Sequence, residues 1–145
     1  MKRILTILML WAIGTSAALA QDRLHVGAVF DGRYHDEPRA SETQISGGKL
    51  ERYLLTLYRS LTLTDMPEAA SEIEPLVTRD AAKAIDREVA YRDGGLYYGF
   101  YQLKPQGQKQ RYLFYLNQNR NGGNKIILIY LEGNASREKI KEMLK

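Results

Sequence analysis

The sequence predicts an α+β domain in which an antiparallel meander sheet of about four to six strands carries helices packed on one face. Two observations predict it. Residues 66–85 carry apolar side chains at helical spacing, whereas from residue 88 onward the period becomes twofold and glycine-containing turns separate the apolar stretches. Residues 126–131 are apolar without interruption, which is typical of a strand covered on both faces in the middle of a sheet.

The first 20 residues have the pattern of a cleavable secretory signal peptide. The chain begins with the basic stretch M-K-R, residues 4–13 are apolar apart from one threonine, and A-L-A at residues 18–20 has the spacing of a cleavage site. The apolar run is shorter than the roughly 20 residues that span a bilayer. We therefore expect residues 1–20 to be removed and residues 21–145 to form a single α+β domain in the periplasm or outside the cell.

The composition excludes several classes of function. The 145 residues include no cysteine, so disulfides, thiolate metal sites, thiol nucleophiles and a lipoprotein anchor are excluded. The formal net charge of +4 falls to +2 once Lys2 and Arg3 are removed, and the remaining charges are interspersed without the basic cluster of a nucleic-acid surface. We expect no nucleic-acid binding, no cofactor and no transmembrane segment after signal cleavage.

The first half of the chain predicts short elements around one longer helix. Residues 24–34 fit a strand or a short helix, and the helix is favoured. The pattern further predicts strands at 41–46 and 60–64 and a helical face over 49–58.

The longer helix is expected to begin near Pro67, which the first helical turn tolerates. Pro75 should kink or split it, leaving a second helical piece that ends at Ile85.

The second half predicts strands at residues 88–92, 96–103, 111–117 and 125–132. Asp93-Gly94-Gly95 has hairpin-turn chemistry, while residues 104–108 and 118–124 are predicted to be a turn and a polar loop. A last helix should begin after Ser136, which is a favourable N-cap residue.

Tyrosines give the only positive indication of a binding surface. In a regular strand, Tyr97 and Tyr101 lie on one face and Tyr98 and Phe100 on the other. If helices cover only one face, the other face presents tyrosines to solvent, as a platform for a peptide or a glycan. The alternative is ordinary cross-strand aromatic packing. The candidate ligand-binding residues are Tyr97, Tyr101 and Tyr115.

Patterns for catalysis or metal binding are weak. Asp31, His35 and Glu37 could surround a divalent ion, but the same residues suit a solvated turn, and we expect no metal. Glu88 and Glu132 could act together only if the fold placed them across a cleft. No serine lies in a Gly-x-Ser-x-Gly elbow. No catalytic residue is therefore assigned.

Several short stretches of the chain carry a resemblance to a known kind of protein. They are S-G-G-K-L at 46–50, Y-R-S-L-T-L at 58–63, Y-Y-G-F-Y-Q-L at 97–103, R-Y-L-F-Y-L at 111–116 and I-L-I-Y-L-E-G at 127–133. Behind a signal peptide and before a short terminal helix, this arrangement resembles the small exported proteins of unknown function common in Bacteroidetes-type bacteria. It is similar, more distantly, to a related exported family with a strand–helix–meander–helix layout.

The resemblance implies a Gram-negative periplasmic or envelope location, with a loose link to regulators of envelope responses, and brings no catalytic residues. Two functions from different classes remain open. The favoured hypothesis is a non-enzymatic binding or interaction module whose partner is an envelope protein, a peptide or a glycan. The alternative is a hydrolase that uses carboxylates in a cleft.

Overall fold

The computed structural model describes residues 24–145, so the predicted signal peptide lies outside the described residues. These residues form one six-stranded sheet in which all neighbouring strands are antiparallel, in the order β1-β2-β6-β5-β4-β3. The strands are β1 (Ala40–Ser46), β2 (Leu55–Thr64), β3 (Asp86–Arg92), β4 (Gly95–Gln106), β5 (Lys109–Arg120) and β6 (Gly123–Gly133). The predicted antiparallel sheet and its meander, β3 to β6, are confirmed.

Two α-helices and three shorter helical segments accompany the sheet. The α-helices are α1 (Ala70–Ala81) and α2 (Arg137–Met143). The shorter segments are a π-helical turn at Val29–Arg33 and 3-10 helices at Gly48–Tyr53 and Pro67–Ala69. Ser136 caps α2 as predicted, because its side chain accepts a hydrogen bond from the backbone N–H of Lys139. Within residues 24–145, no helix is both long and apolar enough to cross a membrane.

The hairpin turns are tighter than the sequence predicts. Asp93 and Gly94 have φ of 55° and 82°, and Asn121 and Gly122 have φ of 53° and 79°. Two consecutive positive φ values are typical of the two-residue turn that matches the strand twist. The predicted polar loop at 118–124 is therefore wrong, since β5 and β6 extend through its polar residues up to the turn. Similarly, β4 continues past its predicted end through Pro105.

The predicted helix over 49–58 is also only partly correct. A 3-10 helix ends at Tyr53, Leu54 takes a left-handed φ of 59°, and β2 begins at Leu55. A Cβ on Gly133 would lie 2.6 Å from the carbonyl oxygen of Leu54, so the two backbones lie in close contact here. Pairing with β6 and burial of Leu55 thus override the local helical pattern.

The predicted break at Pro75 is wrong, because α1 runs through it and ends at Ala81. An interior proline costs a helix about 3 kcal/mol. Here Ile73 and Val77, on either side of the proline, are fully buried. Each such side chain contributes about 1.5–3 kcal/mol on burial, which offsets the cost of the proline.

Buried residues form two clusters, and each contains side chains from a different helix. The first cluster contains Ile73 and Val77 of α1, together with Val26 and Phe30 from the segment before β1. The second contains Ile140 of α2 and Leu50 of the 3-10 helix. Alternate sheet residues divide between the clusters, so we name the two sides of the sheet the α1 face and the α2 face. The prediction of helices on one face is wrong, because both faces are apolar and both need cover.

Strand β6 lies inside the sheet, between β2 and β5, as its uninterrupted apolar stretch predicts. Ile126 and Leu128 are buried on the α1 face, whereas Ile129 and Leu131 are buried on the α2 face. The strand therefore belongs to both layers of the core.

Candidate functional site

Two of the three candidate binding tyrosines are in the core. Tyr101 is 3% exposed and Tyr115 is 0% exposed, and both pack in the α1-face cluster beneath α1. A Cβ on Gly99 would lie 2.6 Å from the hydroxyl oxygen of Tyr101, so this ring lies flat over the glycine. Burial raises the pKa of Tyr101 to about 12 and also raises the pKa of Tyr115. These tyrosines pack in the core and do not form a platform open to solvent.

Tyr97, the third candidate, lies at an irregularity of β4. Tyr98 pairs with Ala90 and Leu96 pairs with Tyr91, so Tyr97 is the extra residue of a β-bulge. The guanidinium carbon of Arg92 lies 4.0 Å from the centre of its half-buried ring. The bulge breaks the strict alternation on which the predicted tyrosine face depends.

The two glutamates considered for hydrolysis lie on opposite faces of the sheet. Glu88 pairs across the strands with Phe100 on the α2 face, and it binds Arg137 at 2.9 Å and Lys141 at 2.6 Å. The hydrogen bond from Lys141 lowers the pKa of Glu88. Glu132 lies on the α1 face, where its carboxylate accepts a hydrogen bond from Tyr130 at 2.8 Å. These two carboxylates do not face each other across a cleft.

Asp31 and Glu37, two of the three residues considered for a metal site, each form an ion pair with a different arginine. Asp31 binds Arg59 at 3.3 Å, and Glu37 binds Arg39 at 3.0 Å. Within residues 24–145, no three His, Cys, Asp or Glu side chains are grouped so that they could hold a metal ion.

One concave site of the described residues is a groove on the α1 face, near the C-terminal end of α1. It consists of two adjoining cavities of about 330 Å³ and 260 Å³, which share Leu24, Gln106 and Arg111 as lining residues. One wall is the segment before β1, and the floor is made by β2, β4, β5 and β6. We call it the α1-face groove.

A buried carboxylate fixes the wall of this groove. The side chain of Asp80 on α1 is 2% exposed and accepts the backbone N–H groups of His25 at 2.7 Å and Val26 at 2.8 Å. The same carboxylate binds Nδ1 of His25 at 2.9 Å. With these bonds both oxygens of Asp80 are occupied, and the segment before β1 is held against α1.

The larger cavity of the groove is lined by apolar and polar side chains in similar measure, and the polar ones include the carboxylates of Asp31 and Glu132. Leu24, Val26, Phe30 and Leu57 supply the apolar surface. On the floor, β2 contributes Arg59, which donates to the carbonyl of Phe30 at 3.0 Å, and β6 contributes the Tyr130–Glu132 pair described above.

The smaller cavity is basic. Arg79, Lys83, Lys104 and Arg111 line it, together with a single carboxylate, that of Asp80. Among residues 24–145, no carboxylate lies within salt-bridge distance of these four cations. Arg111 donates from Nε to the carbonyl of Lys104 at 2.9 Å, which leaves the rest of its guanidinium fork for another acceptor.

Sequence reasoning missed this groove, because its residues come from separated parts of the chain. The two lysines and two arginines are spread over residues 79–111 and become neighbours only through the α1-to-sheet packing. The only sequence signal was the apolar stretch at 24–30, which has more apolar residues than a surface turn requires.

Comparisons with known proteins identify the family of the chain but give no function for it. A family model described as a family of unknown function, DUF6108, matches residues 13–144. No curated protein and no solved structure matches the chain. Since the match spans nearly the whole sequence, the chain belongs to DUF6108, a family of unknown function.

Proposed function

We propose that this protein is an exported, non-enzymatic binding module whose α1-face groove holds a small amphiphilic anion. The observation that carries the proposal is the charge of the smaller cavity. Four cationic side chains line about 260 Å³, and the only carboxylate among its lining residues already accepts hydrogen bonds from the chain itself. An anion bound there would supply the missing countercharge.

The donors of the cavity suit a phosphate or carboxylate head group. Arg79 and Arg111 have planar forks that bind two oxygens at once, and Lys83 and Lys104 act as point charges. Such charge-assisted hydrogen bonds are stronger than those to neutral acceptors. The composition of the cavity thus favours an anion over a neutral glycan.

The adjoining cavity suits a short apolar chain. Its apolar side is formed by Leu24, Val26, Phe30 and Leu57, while Asp31, Arg59 and Glu132 are among its polar lining residues. Its volume of about 330 Å³ lies within the usual range for small-molecule sites. A ligand with an anionic head and an apolar tail would occupy both halves of the groove.

Export is supported by the signal-peptide pattern of residues 1–20 and by the resemblance to small exported proteins of Bacteroidetes-type bacteria. We expect the mature protein to begin at Gln21 in the periplasm or outside the cell. Mass spectrometry of protein from fractionated native cells tests this, and an intact Met1 in the cytoplasmic fraction would contradict it.

The binding test uses hexyl phosphate, with hexanol and inorganic phosphate as the two partial probes. Chemical shifts of backbone amides are followed by NMR while each probe is added. We expect hexyl phosphate to bind most tightly and to shift amides around Leu24 and Arg111. Arg79→Gln combined with Lys83→Gln should weaken binding about tenfold or more, since each charge-assisted bond contributes about 1.5–3 kcal/mol.

The matched control is Arg120→Gln combined with Lys125→Gln, which removes the same charge near the turn between β5 and β6, outside the groove. It should leave binding unchanged. Equal weakening by both double variants would show non-specific charge attraction and contradict the proposed site. Release of inorganic phosphate from hexyl phosphate during the titration would instead favour the hydrolase alternative.

A further inference from the structure

The two edges of the sheet present different surfaces. On β1, the exposed residues 41–44 are all polar, as is usual for an edge that is guarded against pairing. On β3, Val89 is 40% exposed and Tyr91 is 69% exposed, and Ile85 just before the strand is 56% exposed. Among residues 24–145 only two other large apolar side chains are exposed, Leu54 and Met143, so the apolar exposure is concentrated at this edge.

Strand β3 pairs only with β4, so its outer edge carries backbone N–H and C=O groups that no strand of the described chain satisfies. Because β3 itself alternates regularly, Val89 and Tyr91 point to the same face. The edge therefore combines unpaired backbone groups with an apolar strip, which is the surface that strand addition requires.

We infer that β3 pairs antiparallel with β3 of a second copy of this chain, so that two six-stranded sheets join into one across a twofold axis. In an antiparallel pair of identical strands, every cross-strand contact away from the twofold axis occurs twice. A second copy can pair in this way only if the β3 sequence is complementary to itself, and it is.

The self-complementarity is clearest when Ala90 lies opposite Ala90 of the second copy. Val89 then lies opposite Tyr91, an aromatic and β-branched pair of the kind that stabilises sheets. On the other side of the strand, Glu88 lies opposite Arg92. Each of these pairs joins opposite charges or two apolar groups, and none joins like charges.

An unrelated extended segment has no reason to combine this apolar pair with this opposite-charge pair, which is why the second copy is the occupant favoured by the sequence of β3. The interface is one strand wide and therefore smaller than the roughly 1,200 Å² of stable complexes. A weak dimer in exchange with monomer is expected.

The test uses the absence of cysteine from the chain. A single Ala90→Cys substitution places two thiols opposite each other, within the Cα separation of about 4.4–6.8 Å that a disulfide needs. Under mild oxidation we expect this variant to form a covalent dimer about tenfold faster than Thr43→Cys, the matched control on exposed β1, because pairing raises the effective thiol concentration.

Sedimentation of the unsubstituted protein across micromolar concentrations supplies an independent measurement. A concentration-dependent dimer that Tyr91→Lys weakens supports the inference. Equal cross-linking of Ala90→Cys and Thr43→Cys, or a monomer at every concentration, overturns it. Rapid cross-linking of Val89→Cys in place of Ala90→Cys overturns the proposed register.

Discussion

The two faces of the sheet bury the same kinds of side chain but use them differently. Strand β5 contributes one fully buried tyrosine to each face, Tyr112 to the α2 face and Tyr115 to the α1 face. The hydroxyl of Tyr112 donates to the carbonyl of Ala135 at 2.7 Å and so ties the segment before α2 to the sheet. The hydroxyl of Tyr115 has no hydrogen-bond partner among residues 24–145.

This comparison shows that burial alone does not identify the role of an aromatic residue. The α2 face is closed by a segment that is bonded directly to the sheet. The α1 face is closed over Tyr101 and Tyr115, but opens into the α1-face groove at the C-terminal end of α1. Binding chemistry is expected at that opening, whereas the tyrosines themselves stabilise the fold.

The largest effect we predict is for truncation of a buried tyrosine of the α1 face. Tyr101→Ala should lower the free energy of unfolding by about 3–5 kcal/mol, as is usual for large aromatic residues in a core. Tyr97→Ala should cost about 1 kcal/mol, since this ring is half-buried and the guanidinium of Arg92 stacks on it. Urea denaturation of both variants measures the difference. Equal losses of unfolding free energy in the two variants would contradict the burial of Tyr101 and support the tyrosine platform.

An intermediate effect should separate the two faces directly. Tyr112→Phe removes the donor that satisfies the buried carbonyl of Ala135, and should cost about 1–3 kcal/mol. Tyr115→Phe removes a hydroxyl with no partner in the described chain, and should be neutral or stabilising. The substitutions are chemically identical, so each is the control for the other in the same urea experiment. A clear loss in Tyr115→Phe would show that its hydroxyl has a partner.

The smallest effect concerns the surface of the α2 face and depends on pH. Lys141 lowers the pKa of Glu88 below its ordinary value of 4.5. A lowered pKa in the folded state means that the pair stabilises the protein above that ordinary value, and that this stabilisation is lost as the pH falls through the folded pKa. The melting temperature of Glu88→Gln should lie below that of the unsubstituted protein at neutral pH. The two should converge in acid, and a constant difference at every pH would contradict the pairing.

Much of the sheet follows from the sequence because its signals are local. The apolar alternation of the second half and the Asp93-Gly94 turn each identify an element without knowledge of its neighbours. The errors arise where a distant contact decides. Leu54 leaves the helical pattern because the backbone of β6 lies against it. Helix α1 continues through Pro75 because Ile73 and Val77, on either side of the proline, are buried.

The candidate site could not be predicted for the same reason. The groove is built from α1, four strands and the segment before β1, which lie far apart in the sequence and contribute ordinary side chains. The predicted tyrosine face depended on two local assumptions, strict alternation and cover on one face only. The bulge at Tyr97 breaks the first, and the packing of α2 breaks the second.

The order of strands has a consequence for how the chain is made. The first pair, β1 and β2, and the later meander, β3 to β5, have no strand contact with each other, and only β6 joins them. Since β6 (Gly123–Gly133) is the last strand of the described sheet, a ribosome must make all residues up to Gly133 before this sheet can close. Until then the two parts expose the edges that β6 later fills.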